Sequence, residues 1–229
     1  MVIELLWLLL LVPLVAGVLV QRRVRSVFAR YRAVANRAGV SGAELARALL
    51  DAHGLGRVRL EQTPGFLSDH YDGAAQTLRL SEEVAGERSV AALGIAAHEV
   101  SHAYQDAEGS RVYRARRTVG EPLAKLAPWS GFFFIGGFWL GIPILMVLSI
   151  AYVAGMVIFA LATLPVEFSA SQRALTLLRG TGLTDAAETG EVERVLRAAA
   201  LTYVVGLLQQ LGLLFALVLV AEATRRLAT

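Results

Sequence analysis

The chain has 229 residues, of which 55% are hydrophobic, with a mean hydropathy of +0.55 and a formal net charge of +3. That composition is too apolar for an ordinary soluble domain, and the absence of cysteine excludes disulfides and thiol chemistry. The basic residues are arginines except for Lys125 and cluster beside an apolar run, which reads as membrane topology and lipid contact, with no nucleic-acid stripe.

In chain order, residues 1–20 form the first element. Leu5–Val20 carries no charge and reaches bilayer length once Val2 and Ile3 join it, with Glu4 at the interface. No basic segment precedes Leu5 and no small-residue cleavage site follows, so the run reads as a retained anchor rather than a signal peptide. Arg22, Arg23, Arg25, Arg30 and Arg32 crowd its C-terminal end, which predicts a cytoplasmic location for that end. Arg225 and Arg226 pull weakly the other way.

Residues 21–125 supply the larger part of one modest globular domain. Ser41–Leu55 predicts a helix capped by Ser41, with Leu45, Leu49 and Leu50 as its apolar stripe and Gly54 as its stop. The segments "RVRLEQ" and "QTLRLS" alternate apolar with polar and predict strands, joined by turns in "TPGFLSDHYDGAA". Within those turns, His70 either lines a substrate cleft or sits in a turn stabilised by Asp69 or Asp72. His53, at a helix end, is given no catalytic role. Ser89 then caps a helix from Val90 to about Glu108, stopped by Gly109.

Residues 126–166 are uncharged and about twice a bilayer long if drawn as one helix. They predict a transmembrane hairpin folded at Gly141–Pro143. Residues 167–197 return to the globular domain, with a helix that starts beside Pro165 and ends at Gly180. Residues 198–229 form a last transmembrane helix, whose Gln209 and Gln210 face protein. Tyr203, near its start, reads as an interfacial tyrosine more readily than as an electrophile reaching the active site. The count is about four transmembrane helices.

The chemistry lies in "AAHEVSHAYQ", residues 96–105, on the helix after Ser89. Residues four apart share a helix face, so His98 and His102 can offer two imidazole nitrogens to one ion. Glu99 is offset by one residue and can instead reach a water at the ion's open position. That is the H-E-x-x-H logic of two ligands and a general base, and Zn²⁺ is the natural metal for such a set. Structural histidines are the competing reading, weakened by the motif's place in the segment that reads as globular, on a helix with proper ends.

With no cysteine, a carboxylate is the expected third ligand. Glu167 opens the helix that follows the hairpin, and Ala170, Ser171 and Ala174 on its face are small enough for close approach. An even number of membrane crossings would return Glu167 to the side of His98 and His102. These points favour a ligand over an interfacial carboxylate.

The blocks "LSDHYDGAAQTLRLSEE", "SVAALGIAAHEVSHAYQ", "LPVEFSASQRAL" and "AAALTYVV" resemble, in order and over nearly the whole chain, the YugP-like neutral zinc metallopeptidases of bacteria. The chain is similar, more distantly, to HtpX-type membrane peptidases. The resemblance implies a membrane-anchored zincin of the gluzincin kind, mainly α with a small β-sheet, with Glu167 as third ligand. The family commonly has Asp where this chain has Ser169. Support for a metal-ligating histidine would then be weaker, or would shift to Ser171. Ser101 stands where the family commonly has Gly, at a position read as solvent-facing.

The expected activity is zinc-dependent hydrolysis of peptide bonds, with a peptide or membrane-protein substrate and the bilayer as partners. The expected location is the bacterial inner (cytoplasmic) membrane, with the catalytic domain in the cytoplasm and a role in membrane-protein quality control. The alternative is a non-catalytic zinc-binding scaffold or chaperone. Nothing in the sequence addresses oligomeric state.

Overall fold

The computed structural model describes residues 2–228. Seven helices and three strands follow in the order α1 (Val2–Arg32), α2 (Gly42–Ala52), β1 (Arg59–Thr63), β2 (His70–Asp72), β3 (Thr77–Ser81), α3 (Glu82–Gly86), α4 (Val90–Ala107), α5 (Arg111–Leu140), α6 (Pro143–Thr181) and α7 (Ala186–Ala228). The protein is mainly helical with one small sheet, as the sequence implies. It divides into two compact units.

The first unit comprises Met1–Gln21, Ala115–Leu164 and Thr202–Thr229. Among the described residues, three helices are long and apolar enough to cross a membrane: α1, α6 and α7. The predicted count of about four includes α5, which these criteria leave out. Its uncharged part runs only from Leu126 to Leu140 before the chain turns at Gly141, whose φ of +65° suits glycine. That is shorter than the ~20 residues a bilayer asks for. The turn itself lies where "GIP" places it. Within this unit Gln209 faces protein, donating to the Pro13 carbonyl at 3.3 Å.

The second unit comprises Arg22–Arg114 and Pro165–Leu201. Its core is aliphatic, with Leu45, Leu49, Leu50, Leu78, Leu80, Val84, Leu93, Val100 and Leu178 buried together. Ser41 and Glu44 form a reciprocal capping box at the start of α2, and Gly54 ends that turn at φ +74°. The sheet has the order β1-β3-β2, with β1 parallel and β2 antiparallel to β3. Strand β2 lies within the segment read as turns. It pairs His70 with Arg79 and Asp72 with Thr77, and Arg79 also ion-pairs with Asp72 at 2.9 Å. Being an edge strand of three residues, it is too short for a periodic signal.

Three helix boundaries in this part of the chain differ from expectation. Pro165 does not start a helix; it lies inside α6. In an apolar stretch a broken helix would strand backbone groups away from water, so the helix runs through the proline. The helix also passes Gly180 and ends at Thr181, with Gly182 at φ +68° as its stop. Helix α7 begins at Ala186, well before the uncharged run at Ala198.

Gly42 marks the tightest backbone approach in the second unit. A Cβ there would run into the carbonyl oxygen of Val84, which is backbone and cannot swing aside. Gly42→Ala is therefore expected to destabilise the protein by about 1–3 kcal/mol despite the better helix propensity of alanine. Thermal unfolding in detergent, followed by circular dichroism, checks this.

Candidate metal centre

Helix α4 is fixed at both ends by its own sequence. The Ser89 hydroxyl accepts from Ala92 N at 3.2 Å, and Gly109, at φ +74°, follows its last turn. The helix is buried on almost every face. Ser101 is therefore not solvent-facing: it is fully buried and donates to the Ala97 carbonyl at 2.8 Å. The expectation failed because a helix enclosed on all sides has no solvent side.

His98 and His102 lie one turn apart with ring centroids 4.8 Å from each other. Their ligand atoms and a carboxylate oxygen of Glu99 all fall within 4.8 Å of one another, a group able to hold a metal ion. Helix α6 adds Glu167, only 1% exposed. Its Oε2 stands 3.2 Å from His98 Nε2 and 3.6 Å from His102 Nε2. Ala170 and Ala174, on the same stretch of α6, are fully buried.

The donors fit zinc. Nitrogen and oxygen ligands about 2.0–2.1 Å from one ion in tetrahedral array stand about 3.3–3.4 Å apart, which the two Nε2–Oε2 separations bracket. Two buried carboxylates beside two imidazoles also favour a cation, because an uncompensated buried charge costs several kcal/mol. Among the two carboxylates, Glu167 meets both imidazole nitrogens. Glu99 is held from its other side, its Oε2 accepting the Tyr71 backbone N–H at 3.1 Å.

Burial pushes the Glu99 carboxyl above the usual carboxylate range, opposed by the neighbouring His102 and His98. For His102, burial works against the cation, but the hydrogen bond to Glu167 and the charges of Glu99 and Glu167 outweigh it, and the imidazole moves up. Protons and a metal cation thus compete for the same nitrogens.

The outer nitrogens of both histidines are engaged. The Ser171 hydroxyl lies 3.3 Å from His98 Nδ1, and Gln105 Oε1 lies 2.9 Å from His102 Nδ1. Gln105 Nε2 donates to the Val166 carbonyl at 2.9 Å and to Ser169 Oγ at 2.8 Å. The Tyr113 ring stacks on His102 at 5.7 Å, with the planes inclined by 26°.

The structure therefore brings His98, Glu99, His102 and Glu167 together, and places Ser171 against His98. Ser169 touches no histidine directly; it reaches His102 through Gln105. His70 is exposed on β2, with Nδ1 2.8 Å from the Ser68 carbonyl, and its neighbour Tyr71 makes the contact to Glu99. Asp72 stabilises the following turn, accepting from Ala74 N and Ala75 N at 3.0 Å each. Asp69 instead accepts from Ser81 N at 2.7 Å. Tyr203 falls among the residues of the first unit, outside the unit that carries the cluster. Sequence reading missed Gln105, Tyr71 and Tyr113. For Gln105 a signal existed, since it follows His102 by three residues and so shares its helix face.

Comparison with known proteins agrees with this chemistry. The model of a family described as "Putative neutral zinc metallopeptidase" matches residues 6–222. The chain is 40% identical over 191 residues to "Putative membrane protease YugP" of Bacillus subtilis (strain 168), covering 83% of this chain and 85% of that protein. No solved structure matches the chain.

Removal of Glu167 tests the geometry. Glu167→Ala is expected to weaken zinc binding by more than the ~10–100-fold typical of losing an outer partner, read by chelator competition.

Proposed function

This chain belongs to the family of neutral zinc metallopeptidases, and from that premise we propose that it is a membrane-anchored zinc endopeptidase. The observation that carries the reading is the convergence of His98 and His102 from α4 with Glu167 from α6, beside a second carboxylate that is not in the ligand position. In this reading His98, His102 and Glu167 hold Zn²⁺, the HExxH-plus-Glu set of a gluzincin. The catalytic domain is assembled from residues 21–125 and 167–197.

Bound zinc acidifies water and polarises the scissile carbonyl. Glu99 supplies the proton traffic: its carboxylate accepts a proton from the attacking water and returns it to the leaving amine nitrogen. The Tyr71 N–H holds one Glu99 oxygen and leaves the other for that exchange. His98 and His102 are oriented from behind by Ser171 and Gln105, so neither ring needs to reorganise during turnover.

The substrate class follows from chain distance. Glu167 lies less than one helical turn beyond Leu164, the last hairpin residue of the apolar unit. Polypeptide segments close to a membrane are the proposed substrates, which fits a role in clearing damaged membrane proteins. We count α5 with α1, α6 and α7 as a fourth crossing, its short uncharged stretch carried toward bilayer length by the rest of a 30-residue helix that leads into α6 across the Gly141 turn. The arginines that follow Val20 support a cytoplasmic orientation of the catalytic unit, and the proposed location is the bacterial cytoplasmic membrane.

Two experiments bear on this. Glu99→Gln is expected to retain zinc and lower peptide cleavage by about 10²–10⁴-fold, because a neutral amide cannot take the proton. Cleavage by Glu99→Gln at the parent's rate would remove Glu99 from the reaction. A reporter that is active only in the cytoplasm, inserted at the Gly54 turn, is expected to be active; inactivity there, with activity of a periplasmic or exported reporter, would reverse the orientation.

A further inference from the structure

We infer that Gln105 is the positioning residue that locks the tautomer of His102, and that the Val166 carbonyl and Ser169 together dictate which way the Gln105 amide faces. The inference rests on the metal-centre reading above and extends it to a residue that makes no contact with the ion.

A glutamine side chain ends in one acceptor oxygen and one NH₂ with two protons, and the two ends are not interchangeable. A backbone carbonyl only accepts. The Val166 carbonyl, 2.9 Å away, therefore requires the NH₂ end to face α6. The second amide proton goes to Ser169 Oγ at 2.8 Å. Ser169 is free to accept it because its own proton is directed at the Val166 carbonyl, 2.9 Å away. Both amide protons are used on α6, and Oε1 must face the other way, where it meets His102 Nδ1 at 2.9 Å.

An amide oxygen cannot donate, so Nδ1 must carry the proton. The neutral imidazole then presents its lone pair at Nε2, the atom 3.6 Å from Glu167 Oε2. A flipped amide would set oxygen against oxygen at Val166 and would turn an N–H toward Nδ1, selecting the opposite tautomer, so the carbonyl that bars the flip also fixes the ring. Gln105 is buried at 6% exposure, so little water competes for either end.

This arrangement gives Ser169 a role. The outer partners of both histidines are neutral: an amide behind His102 and a hydroxyl behind His98. Orientation of the ligand is achieved by hydrogen-bond direction, with no carboxylate behind either ring among the described residues. Ser169 acts at one remove, as a lid on the second amide proton, and the Val166 carbonyl is the stronger determinant because it cannot donate. Loss of Ser169 should then be tolerated, whereas loss of the Gln105 amide should not.

The test uses the full-length protein in detergent with zinc alone as the probe. Gln105→Met, close in shape but without the amide, is expected to bind zinc about 10–100-fold more weakly than the parent by chelator competition. Ser169→Ala is expected to lose less than about tenfold, since one anchor for the amide persists. In parallel, ¹⁵N-histidine spectra of the zinc-loaded parent, with His53 and His70 assigned by substitution, read the tautomer directly. The expected spectrum has His102 coordinated through Nε2 and protonated at Nδ1. Coordination through Nδ1 would overturn the inference, as would a Gln105→Met protein that binds zinc as tightly as the parent. The spectrum of the parent decides even where Gln105→Met does not fold. A parent that binds no zinc would instead defeat the metal-centre reading itself, and the two failures are thereby told apart.

Discussion

The candidate metal centre depends on one approach, that of α6 to α4 at Glu167. The carboxylate is almost wholly buried and lies within 3.6 Å of both imidazole nitrogens. Burying that charge is costly unless a cation or hydrogen bonds compensate it. The helices come this close because α6 presents fully buried alanines at 170 and 174 and a small serine at 171. Ser171 and Ser169 each also contribute a hydroxyl to the polar network around the histidines. An ion pair of Arg173 with Glu108 at 2.7 Å ties the same two helices further along, and the Arg173 guanidinium also lies over the Tyr104 ring. Exposed ion pairs of this kind contribute little energy, so packing of the small residues is what holds the approach.

The two glutamates of the cluster share a residue type but differ in environment. Glu167 is reached by both Nε2 atoms, whereas Glu99 is turned aside by one residue of helix rotation and anchored by a backbone N–H from β2. The edge strand therefore does more than complete a sheet, because it reaches the carboxylate proposed to move protons. The outer layer is neutral, where a carboxylate behind a ligating histidine is the commoner arrangement. A neutral layer orients the ring without adding negative charge to a pocket that already encloses two carboxylates.

Much of this was legible in the sequence, for reasons that can be named. The helix carrying His98 and His102 announces itself through Ser89 and Gly109, and α2 through Ser41, Glu44 and Gly54. The i, i+4 spacing of the histidines needs nothing beyond helix geometry to place them on one face. Glu167 was recoverable because it directly follows the long uncharged run and has small residues at 170, 171 and 174 beside it. What escaped was of two kinds. Strand β2 is three residues long, and no periodicity can be read from so short a run. Pro165 and Ser101 were misread because local rules assume water nearby; in apolar surroundings a proline stays within the helix, and an enclosed helix has no outer face. Gln105 was in plain view, three residues from His102, but a glutamine has no meaning until the carbonyl it faces is known.

The central claim is that one zinc ion is shared by α4 and α6, and X-ray absorption at the zinc edge of the purified protein tests it most directly. The account predicts one zinc per chain with two imidazole nitrogens at about 2.0–2.1 Å and oxygen donors completing the shell, one of them lost in Glu167→Ala. A zinc shell with no change between the parent and Glu167→Ala, or a parent without zinc, would contradict it.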